Sequence, residues 1–412
     1  MLNNKSSSKK QMQSKENTYI FIDNLQYRLL YIKLDQNIVS LIYYMLLRGK
    51  PFNFFTRKTR SRVLNFIKPL VCLIRVIEFI YLIYKKKYLL PGSQSSHPNI
   101  STIHNGHCLL VTVQGEYKIV NFKEKILITF FPNHFSIKEI KEIITKFKES
   151  QKCKLAPELI SWDIKKRFMK ESYYNIKTSS FNFKSNQHFY SEVLPILKDI
   201  ILSNNHQLIL LKNHIQNLNI RINKLVELYL KENKKLKSFA KNIQDFIVEI
   251  NEKLEEKPSE MKLFLVFSHG DFWEGNILKN KLGCRVIDWN TLNKRSYFFD
   301  FYFIMFDIIS KMDDSVKYNQ SRKIEDAYKF FISNNMKNIN FKNFVDQSET
   351  YQYIYYLEYI LLKLQENLKR DVRYLGYLEE QINFFKLYEL YRNENLLFSD
   401  IPNAFEYGVE LT

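Results

Sequence analysis

The fold is constrained most by one stretch of the chain, Leu263–Phe301, in which strand-forming and polar segments alternate. The stretch begins with the apolar run LFLVF, which predicts a buried β-strand. The segments 276–279 and 284–288 follow, and they flank a four-residue loop that ends in Gly283. A short loop of this kind between two apolar segments predicts a β-hairpin.

Three polar side chains are expected to converge at the open end of this hairpin. We expect Lys279 to face Cys284 across it. This register places Asn276 beside Asp288 at the open end. Asp271 lies just upstream of the same end. The sequence therefore predicts two carboxylates and one amide in a small volume.

This trio suits phosphoryl transfer, because such a transition state needs in-line positioning and neutralised charge more than covalent help. Asp271 is the candidate to orient an acceptor hydroxyl and accept its proton. Asn276 and Asp288 are the candidate ligands of Mg²⁺, which prefers hard oxygen atoms and would hold the phosphates of ATP. Kinases place their catalytic and metal-binding loops in the same order.

The motifs in this stretch resemble one superfamily. HGDFWEGNIL at 269–278 and VIDW at 286–289 look like the aminoglycoside phosphotransferase/choline kinase superfamily, whose members carry H-G-D-x-x-x-x-N and I-D-W or I-D-F. Asp300 resembles the later acid that starts a helix in that family. The resemblance implies an ATP- and Mg²⁺-dependent kinase, in whose catalytic loop we expect His269 to support the backbone.

The resemblance also implies the fold class. This is an α+β, bilobal protein-kinase-like fold with a small antiparallel-sheet N-lobe and a larger, mainly helical C-lobe. The N-lobe is expected over residues 99–175 and the C-lobe, with the catalytic loop and the acceptor site, over 176–412. Strands of the N-lobe are predicted at 108–113, 116–122, 125–131, 158–162 and 166–170.

The nucleotide-binding residues are expected in the N-lobe. The family usually has a Lys or Arg late in the third strand to hold the phosphates, where this chain has Thr129-Phe130-Phe131. Lys118 is the preferred substitute, and Lys125 is the second choice. The hinge is expected to begin at the end of the last strand, so Glu171 and Tyr173 would contact the nucleotide.

The N-terminal part of the chain is expected to form an extra segment. Residues 1–17 are polar and predict a disordered tail. Residues 18–98 predict a basic, apolar-helical segment that ends in a linker, with helices at 37–47 and 70–84. Residues 1–90 contain 17 Lys and Arg but only 4 Asp and Glu.

Two interpretations fit this basic segment. Its second apolar run contains Arg75 and Glu78 and has fewer than the ~20 residues needed to span a bilayer. The helices could pack on the kinase body or on a partner. Alternatively, residues 18–90 could make peripheral contact with a membrane, which would place a cytoplasmic protein on the inner face.

The remaining composition narrows the function. Four cysteines without C-x-x-C spacing are typical of a reducing cytoplasm. The basic charge lies in an apolar-helical segment rather than in a folded groove, so no nucleic-acid partner is expected. C-lobe helices are predicted at 208–236 and 239–254. The resemblance implies that the acceptor pocket lies among the later helices.

The acceptor stays open at this point. A hydroxyl of a small molecule, a sugar or a cell-envelope glycan precursor is the leading expectation. Glu274-Gly275-Asn276 also resembles choline and ethanolamine kinases, which makes that type of kinase an alternative. A catalytically inactive, kinase-like scaffold is a further alternative, because the usual cation of the third strand is missing.

Overall fold

A computed structural model describes most of the chain. It covers residues 16–22, 30–47, 55, 66–89, 97–174, 186–203, 206–233, 236–280, 283–312, 321–335, 347–368 and 373–394. The chain divides into two compact units, one of residues 1–144 with 157–177 and the other of residues 145–156 with 178–412. An antiparallel sheet dominates the first unit and helices dominate the second. The predicted α+β class is therefore confirmed.

An eight-stranded sheet forms the first unit, with the strand order β3-β1-β2-β4-β5-β6-β8-β7 and antiparallel neighbours throughout. The five strands predicted for the N-lobe are present as β4 to β8. In chain order the strands are β1 (Asn17–Phe21), β2 (Leu30–Lys33), β3 (Ile100–Thr102), β4 (Cys108–Val111), β5 (Tyr117–Asn121), β6 (Ile126–Phe130), β7 (Leu159–Asp163) and β8 (Phe168–Ser172).

The first two strands differ from the expectation of a separate helical segment over 18–98. β1 pairs with β3 from Asn17↔Thr102 onward, and β2 pairs with β4, where Ile32 faces Cys108. Both strands therefore lie inside the sheet. Their short runs of β-branched and aromatic residues suit a strand. The sequence pattern did not reveal this because most of the pairing partners follow about seventy or more residues later.

Two helices cover one face of this sheet, and they confirm the helices predicted in the basic segment. They are α1 (Ile38–Leu46) and α2 (Lys68–Tyr84), and a π-helical turn at Lys85–Leu89 continues α2. Leu41 of α1 and Phe79 of α2 are buried in one cluster with Ile20, Ile32 and other residues of that face. Side chains that alternate with these along the strands, such as Tyr19, form the cluster on the opposite face.

A capped helix follows the third predicted strand. It is α3 (Ile137–Ser150), and Ser136 caps it. The backbone N–H of Glu139 donates to Ser136 Oγ at 3.2 Å, while the N–H of Ser136 donates to a carboxylate oxygen of Glu139 at 2.8 Å. This reciprocal pair is a capping box.

The second unit contains mainly helices and two small sheets. A three-stranded sheet has the order β13-β10-β9, and β11 pairs with β12 in a hairpin. The strands are β9 (Gln207–Leu210), β10 (Lys262–Ser268), β11 (Ile277–Asn280), β12 (Gly283–Val286) and β13 (Asn293–Ser296). The helices are α4 (Asn186–Glu192), α5 (Leu194–Leu202), α6 (Leu211–Glu232), α7 (Lys237–Glu255), α8 (Phe299–Ser310), α9 (Ser321–Asn335), α10 (Ser348–Asn367) and α11 (Arg373–Glu394).

The helix predicted at 208–236 begins later than expected. Residues 207–210 form β9, which pairs with β10, and only then does α6 begin. QLIL is apolar enough for either a helix or a strand, and pairing with β10 selects the strand. The sequence pattern also missed β13, whose residues NKRS are polar.

Aromatic side chains build the core of the second unit around α10. Tyr355 and Tyr356 of α10 are buried, as are Phe306 of α8 and Phe385 of α11. The ring centroids of Phe306 and Tyr355 lie 5.5 Å apart, and those of Tyr356 and Phe385 lie 4.6 Å apart. This core uses many of the aromatic residues, which make up 15% of the chain, and it fixes α10 firmly in place.

Candidate active site

The hairpin has the register that the sequence predicted. Lys279 is opposite Cys284, and the last ladder pair at the open end is Ile277 with Val286. One step further, the N–H of Ile287 donates to the carbonyl oxygen of Asn276 at 2.9 Å. The strands reach Asn280 and Gly283, so the connecting loop is shorter than the expected four residues.

Asn276 is joined directly to Asp271. Its side-chain Nδ2 donates to Asp271 Oδ2 at 2.9 Å and to the Asp271 carbonyl oxygen at 2.8 Å. A short 3-10 helix, Glu274–Asn276, brings the two residues together, and Asn276 is buried. Because Nδ2 makes both bonds, the amide oxygen Oδ1 is the atom of Asn276 that suits a cation.

Asp288 lies at a conformationally unusual point two residues after the end of β12. Its φ of 66° and ψ of 59° are in the left-handed region, which Asp adopts more readily than most residues but still at some cost. Asn290 Nδ2 donates to Asp288 Oδ1 at 3.0 Å. The next residue, Trp289, is buried and donates from Nε1 to the Val286 carbonyl oxygen at 2.7 Å. Trp289 thus anchors the turn that presents Asp288.

His269 ties the two loops together through its ring. Its Nε2 lies 2.9 Å from the carbonyl oxygen of Ile287, and the N–H of Asp271 donates to its Nδ1 at 3.2 Å. These partners require the neutral tautomer with the proton on Nε2. Burial lowers the pKa of His269, which also favours the neutral ring. The ring packs against Trp289 with centroids 4.7 Å apart.

Asp300 holds the backbone of the catalytic loop through two hydrogen bonds. It lies in the first turn of α8, as predicted, and is buried. Its two carboxylate oxygens accept from the N–H groups of His269 at 2.7 Å and Gly270 at 2.8 Å. Gly270 has a φ of +84°, and a Cβ there would lie 2.5 Å from Arg295 Nη1 and 2.8 Å from the Thr291 carbonyl oxygen. Only glycine therefore fits at this position.

Arg295 of β13 is a supporting residue that the sequence pattern missed. It is buried and donates to Ser268 Oγ and to the Thr291 carbonyl oxygen, both at 2.9 Å. Thr291 Oγ1 in turn donates to the His269 carbonyl oxygen at 2.7 Å. Arg295 also lies 4.8 Å from the ring centroid of Phe299. The supporting role of Arg295 could have been predicted only together with β13, because this strand is what buries its side chain.

The pKa of the Asp271 carboxyl is raised by some neighbouring groups and lowered by others. Burial raises its pKa, and Lys363 of α10 opposes this effect. Glu366 and Asp288 raise the pKa further, while the hydrogen bond from Asn276 lowers it. Lys363 Nζ lies 2.9 Å from a carboxylate oxygen of Glu366. The sequence pattern did not identify this ion pair, although its i,i+3 spacing on a helix is a usable signal.

The donor set around Asn276 and Asp288 fits a magnesium ion bound together with phosphates. Among the described residues, no cluster of three or more His, Cys, Asp or Glu side chains could hold a metal by itself. One amide oxygen and one carboxylate are hard donors. Mg²⁺ is typically bound through one or two carboxylates plus phosphate oxygens and water, not by a cage made only of protein.

The three residues predicted to bind the nucleotide lie in the first unit. Lys118 of β5 faces Thr129 of β6, and Glu171 of β8 faces Leu127 of β6. Since residues two apart on a strand share a face, Lys118 and Glu171 are on the same face of the sheet. Tyr173 packs on the cluster of that face, with its ring centroid 5.7 Å from that of Phe122.

The expected start of the hinge was placed too early. β8 continues to Ser172, and Glu171 is a buried strand residue, with the N–H of Ser172 donating to the Glu158 carbonyl oxygen at 2.9 Å. Pairing with β6 and β7 provides hydrogen-bond partners for the backbone at Glu171 and Ser172. The alternation of polar and apolar residues did not show that the strand extends this far. Tyr173 directly follows the strand.

Comparisons with known proteins agree with the motifs. Residues 202–341 match the model of the ecdysteroid kinase-like family. A search among curated proteins found no match. Among solved structures, a choline kinase from Cryptosporidium parvum is 13% identical, with 78% of this chain and 98% of that chain covered and a TM-score of 0.45.

Two further solved structures are similar to this chain. An ethanolamine kinase from Plasmodium vivax is 15% identical, with 80% of this chain and 96% of that chain covered and a TM-score of 0.42. A choline kinase from Streptococcus pneumoniae is 14% identical, with 67% and 90% covered and a TM-score of 0.41. The family match contains both motifs of the site, so this part of the chain is similar to the kinase-like proteins that the family model describes.

Proposed function

We propose that the protein is an ATP- and Mg²⁺-dependent phosphotransferase that moves the γ-phosphoryl group to a hydroxyl of its acceptor. The observation that carries this proposal is the Asp271–Asn276 pair, held at the open end of a hairpin whose other strand leads to Asp288. A base, an amide ligand and a carboxylate ligand are the parts that phosphoryl transfer requires.

Asp271 acts on the acceptor in this proposal. Asn276 holds Oδ2, so Oδ1 is the oxygen that orients the acceptor hydroxyl and receives its proton. Burial raises the pKa of Asp271, which makes its carboxylate a better proton acceptor than an exposed one. His269 and Asp300 do not touch the reacting atoms and keep the loop in place.

Asn276 Oδ1 and the Asp288 carboxylate would hold Mg²⁺. When bound, the ion neutralises the charge of the nucleotide phosphates. Lys118, Glu171 and Tyr173 are the proposed nucleotide contacts, and their position on one face of the sheet supports this assignment. The Asp271–Asn276 hydrogen bonds also support an enzyme over an inactive scaffold, because they keep the proposed base and a proposed metal ligand side by side.

The surroundings of Asp271 favour a sugar-like acceptor over choline. Lys363 Nζ lies 5.4 Å from the ring centroid of Phe303 and 5.6 Å from that of Tyr359. The ammonium group thus already covers the faces of two aromatic rings, which are the kind of surface that binds a quaternary ammonium. A second cation there would be repelled. The Lys363–Glu366 pair instead offers a donor and an acceptor for hydroxyl groups.

The proposal is tested by measuring ADP release from ATP with and without Mg²⁺. The full-length protein is given a panel of sugars, amino sugars, choline and ethanolamine. We expect Mg²⁺-dependent turnover with a sugar-like acceptor, and a loss of ~10²–10⁴-fold in Asp271→Asn, which keeps the shape but removes the base.

The matched control is Asp326→Asn, because Asp326 is exposed on α9. It should keep wild-type turnover. An Asp271→Asn variant that turns over like the wild type would remove Asp271 from the mechanism. Turnover with choline alone would retain the reaction but reject the acceptor class.

A further inference from the structure

Helix α2 has an apolar outer face in addition to the face that packs on the sheet. Phe79 and Ile83 are buried on the inner side. The outer residues are 40% to 57% exposed. At 3.6 residues per turn they lie within a stripe about 120° wide. They are Leu70, Leu73, Ile74, Ile77, Ile80, Tyr81 and Tyr84.

Helix α1 adds a second apolar stripe. Val39, Tyr43 and Leu47 recur every four residues and are 77%, 60% and 47% exposed. α1 and α2 both bury their opposite sides in the cluster on one face of the sheet. Their exposed stripes therefore both face away from the sheet. Exposed apolar surface of this extent marks an interaction site.

Positive charge lies beside this outer face. Lys85, Lys86 and Lys87 follow α2 directly, and Glu78 is the one acidic residue between 66 and 89. Tyr84 and Tyr88 lie at the same end, with ring centroids 5.1 Å apart. Lysines and tyrosines at the edge of an apolar stripe are typical of helices that lie in a lipid interface.

We propose that the outer face of α1 and α2 binds the surface of an anionic lipid bilayer. The charge decides between this partner and a second copy of the chain, since a second copy would bring the same lysines and like charges repel. The helices would lie in the interface plane. Among the described residues, no helix is long and apolar enough to span a bilayer. This inference does not depend on the reaction proposed above.

The test is sedimentation of the full-length protein with phosphatidylcholine vesicles, prepared with and without phosphatidylglycerol. We expect binding to the anionic vesicles that weakens as salt rises, because exposed charges are screened over ~10 Å at 0.1 M. The variant Leu73→Ser/Ile77→Ser/Tyr81→Ser should bind at least about tenfold more weakly, since it removes apolar contact area. Replacing Lys85–Lys87 by Gln should cost about fivefold for each lysine on anionic vesicles.

The matched control is Ile220→Ser/Val248→Ser, which removes apolar residues that are 61% and 56% exposed in the second unit. It should bind vesicles like the wild type. Because all substituted outer side chains are exposed, thermal unfolding should be unchanged. The single Ile77→Ser variant should show a smaller loss of vesicle binding than the triple variant.

Three results would overturn the proposal. One is a wild-type protein that ignores anionic vesicles at low salt. Another is a triple variant that keeps wild-type affinity for them. The third is a wild-type dimer that becomes monomeric in the triple variant while vesicle binding stays the same, which would assign the outer face to contact between copies.

Discussion

Asp271 is a carboxylate whose proton affinity depends on residues from distant parts of the chain. Burial raises its pKa, and the largest opposing influence is Lys363, almost a hundred residues later in the sequence. Glu366, on the same helix, acts in the opposite direction. If Asp271 is the base of the reaction, these two residues determine the pH at which it becomes competent.

We predict opposite shifts of the pH–rate profile in two variants of α10. A base works only when ionised, so activity is lost as pH falls through its pKa. Lys363→Met removes a cation that lowers the Asp271 pKa, and the acid limb should move to higher pH. Glu366→Gln removes an anion that raises it, and the limb should move to lower pH. The measurement is kcat/KM against pH with an active acceptor.

Lys329→Met is the matched control for this pair. Lys329 forms an exposed ion pair with Glu325, 2.8 Å apart on α9. Its replacement should leave the acid limb in place. If both α10 variants shifted the limb in the same direction, the two residues would act through packing and not through charge.

The residues of the site differ in how well their positions could be predicted. Asp271, Asn276 and Asp288 were brought together by short spacings and by the register of one hairpin, which local sequence determines. Lys363 and Glu366 reach Asp271 only because the aromatic core positions α10, and no local pattern reports such packing.

At the scale of single elements, one histidine in the sheet is buried without full hydrogen bonding. His104 lies after β3, with its ring 5.5 Å from that of Phe130 and 5.1 Å from that of Phe168. Its buried Nε2 has no hydrogen-bond partner in the part of the chain that the structure describes. Burial lowers its pKa to about 4, and Lys170 adds to the effect.

We predict that this histidine makes the stability of the protein depend on pH. Between its ordinary pKa of 6.5 and its folded pKa of about 4, the unfolded chain binds a proton that the folded chain does not. The free energy of unfolding should therefore fall as pH falls through this window, by at most about 1.4 kcal/mol per pH unit. His104→Phe, which suits the aromatic surroundings, should reduce this slope.

Urea unfolding at several pH values in the window provides the measurement. The slope should decrease but not vanish, because burial also lowers the pKa of His269 and the sign is the same. His134→Gln is the control, since His134 is exposed and its replacement should leave the slope unchanged. Equal slopes in the wild type and in His104→Phe would contradict the prediction.

Elements were predictable where local signals were complete. β4 to β8 carry β-prone runs between clear turns, so their positions were found to within a few residues. β1, β2, β3, β9 and β13 were missed. These strands are short, and each is either an apolar run close to a helix or a polar run. Their conformation is decided by strand partners elsewhere in the chain.

At the scale of the whole molecule, the first hundred residues belong to the sheet. β1 and β2 lie between β3 and β4 in the strand order. We predict that deletion of residues 1–96 prevents folding to a soluble protein. It removes two inner strands and both covering helices, and it exposes the buried residues of two core clusters. A separable N-terminal module would have allowed the rest to fold.

Gel filtration and thermal unfolding of the truncated protein measure this effect. Deletion of residues 1–15 is the control, because it leaves β1 intact. That protein should elute and unfold like the full chain. A soluble protein of residues 97–412 with one cooperative unfolding transition would show that the remaining strands are sufficient.

The strand order also has a consequence for how the protein is made. Asn17 pairs with Thr102, a separation of 85 residues, so the sheet cannot be completed when β1 leaves the ribosome. At ~5–20 residues per second, synthesis of the missing partner takes roughly four to seventeen seconds. α1 and α2 are made within that interval, and until β3 and β4 follow they have no complete sheet to cover, so both of their apolar faces are open. We expect the nascent chain to bind chaperones or lipid before it binds any substrate.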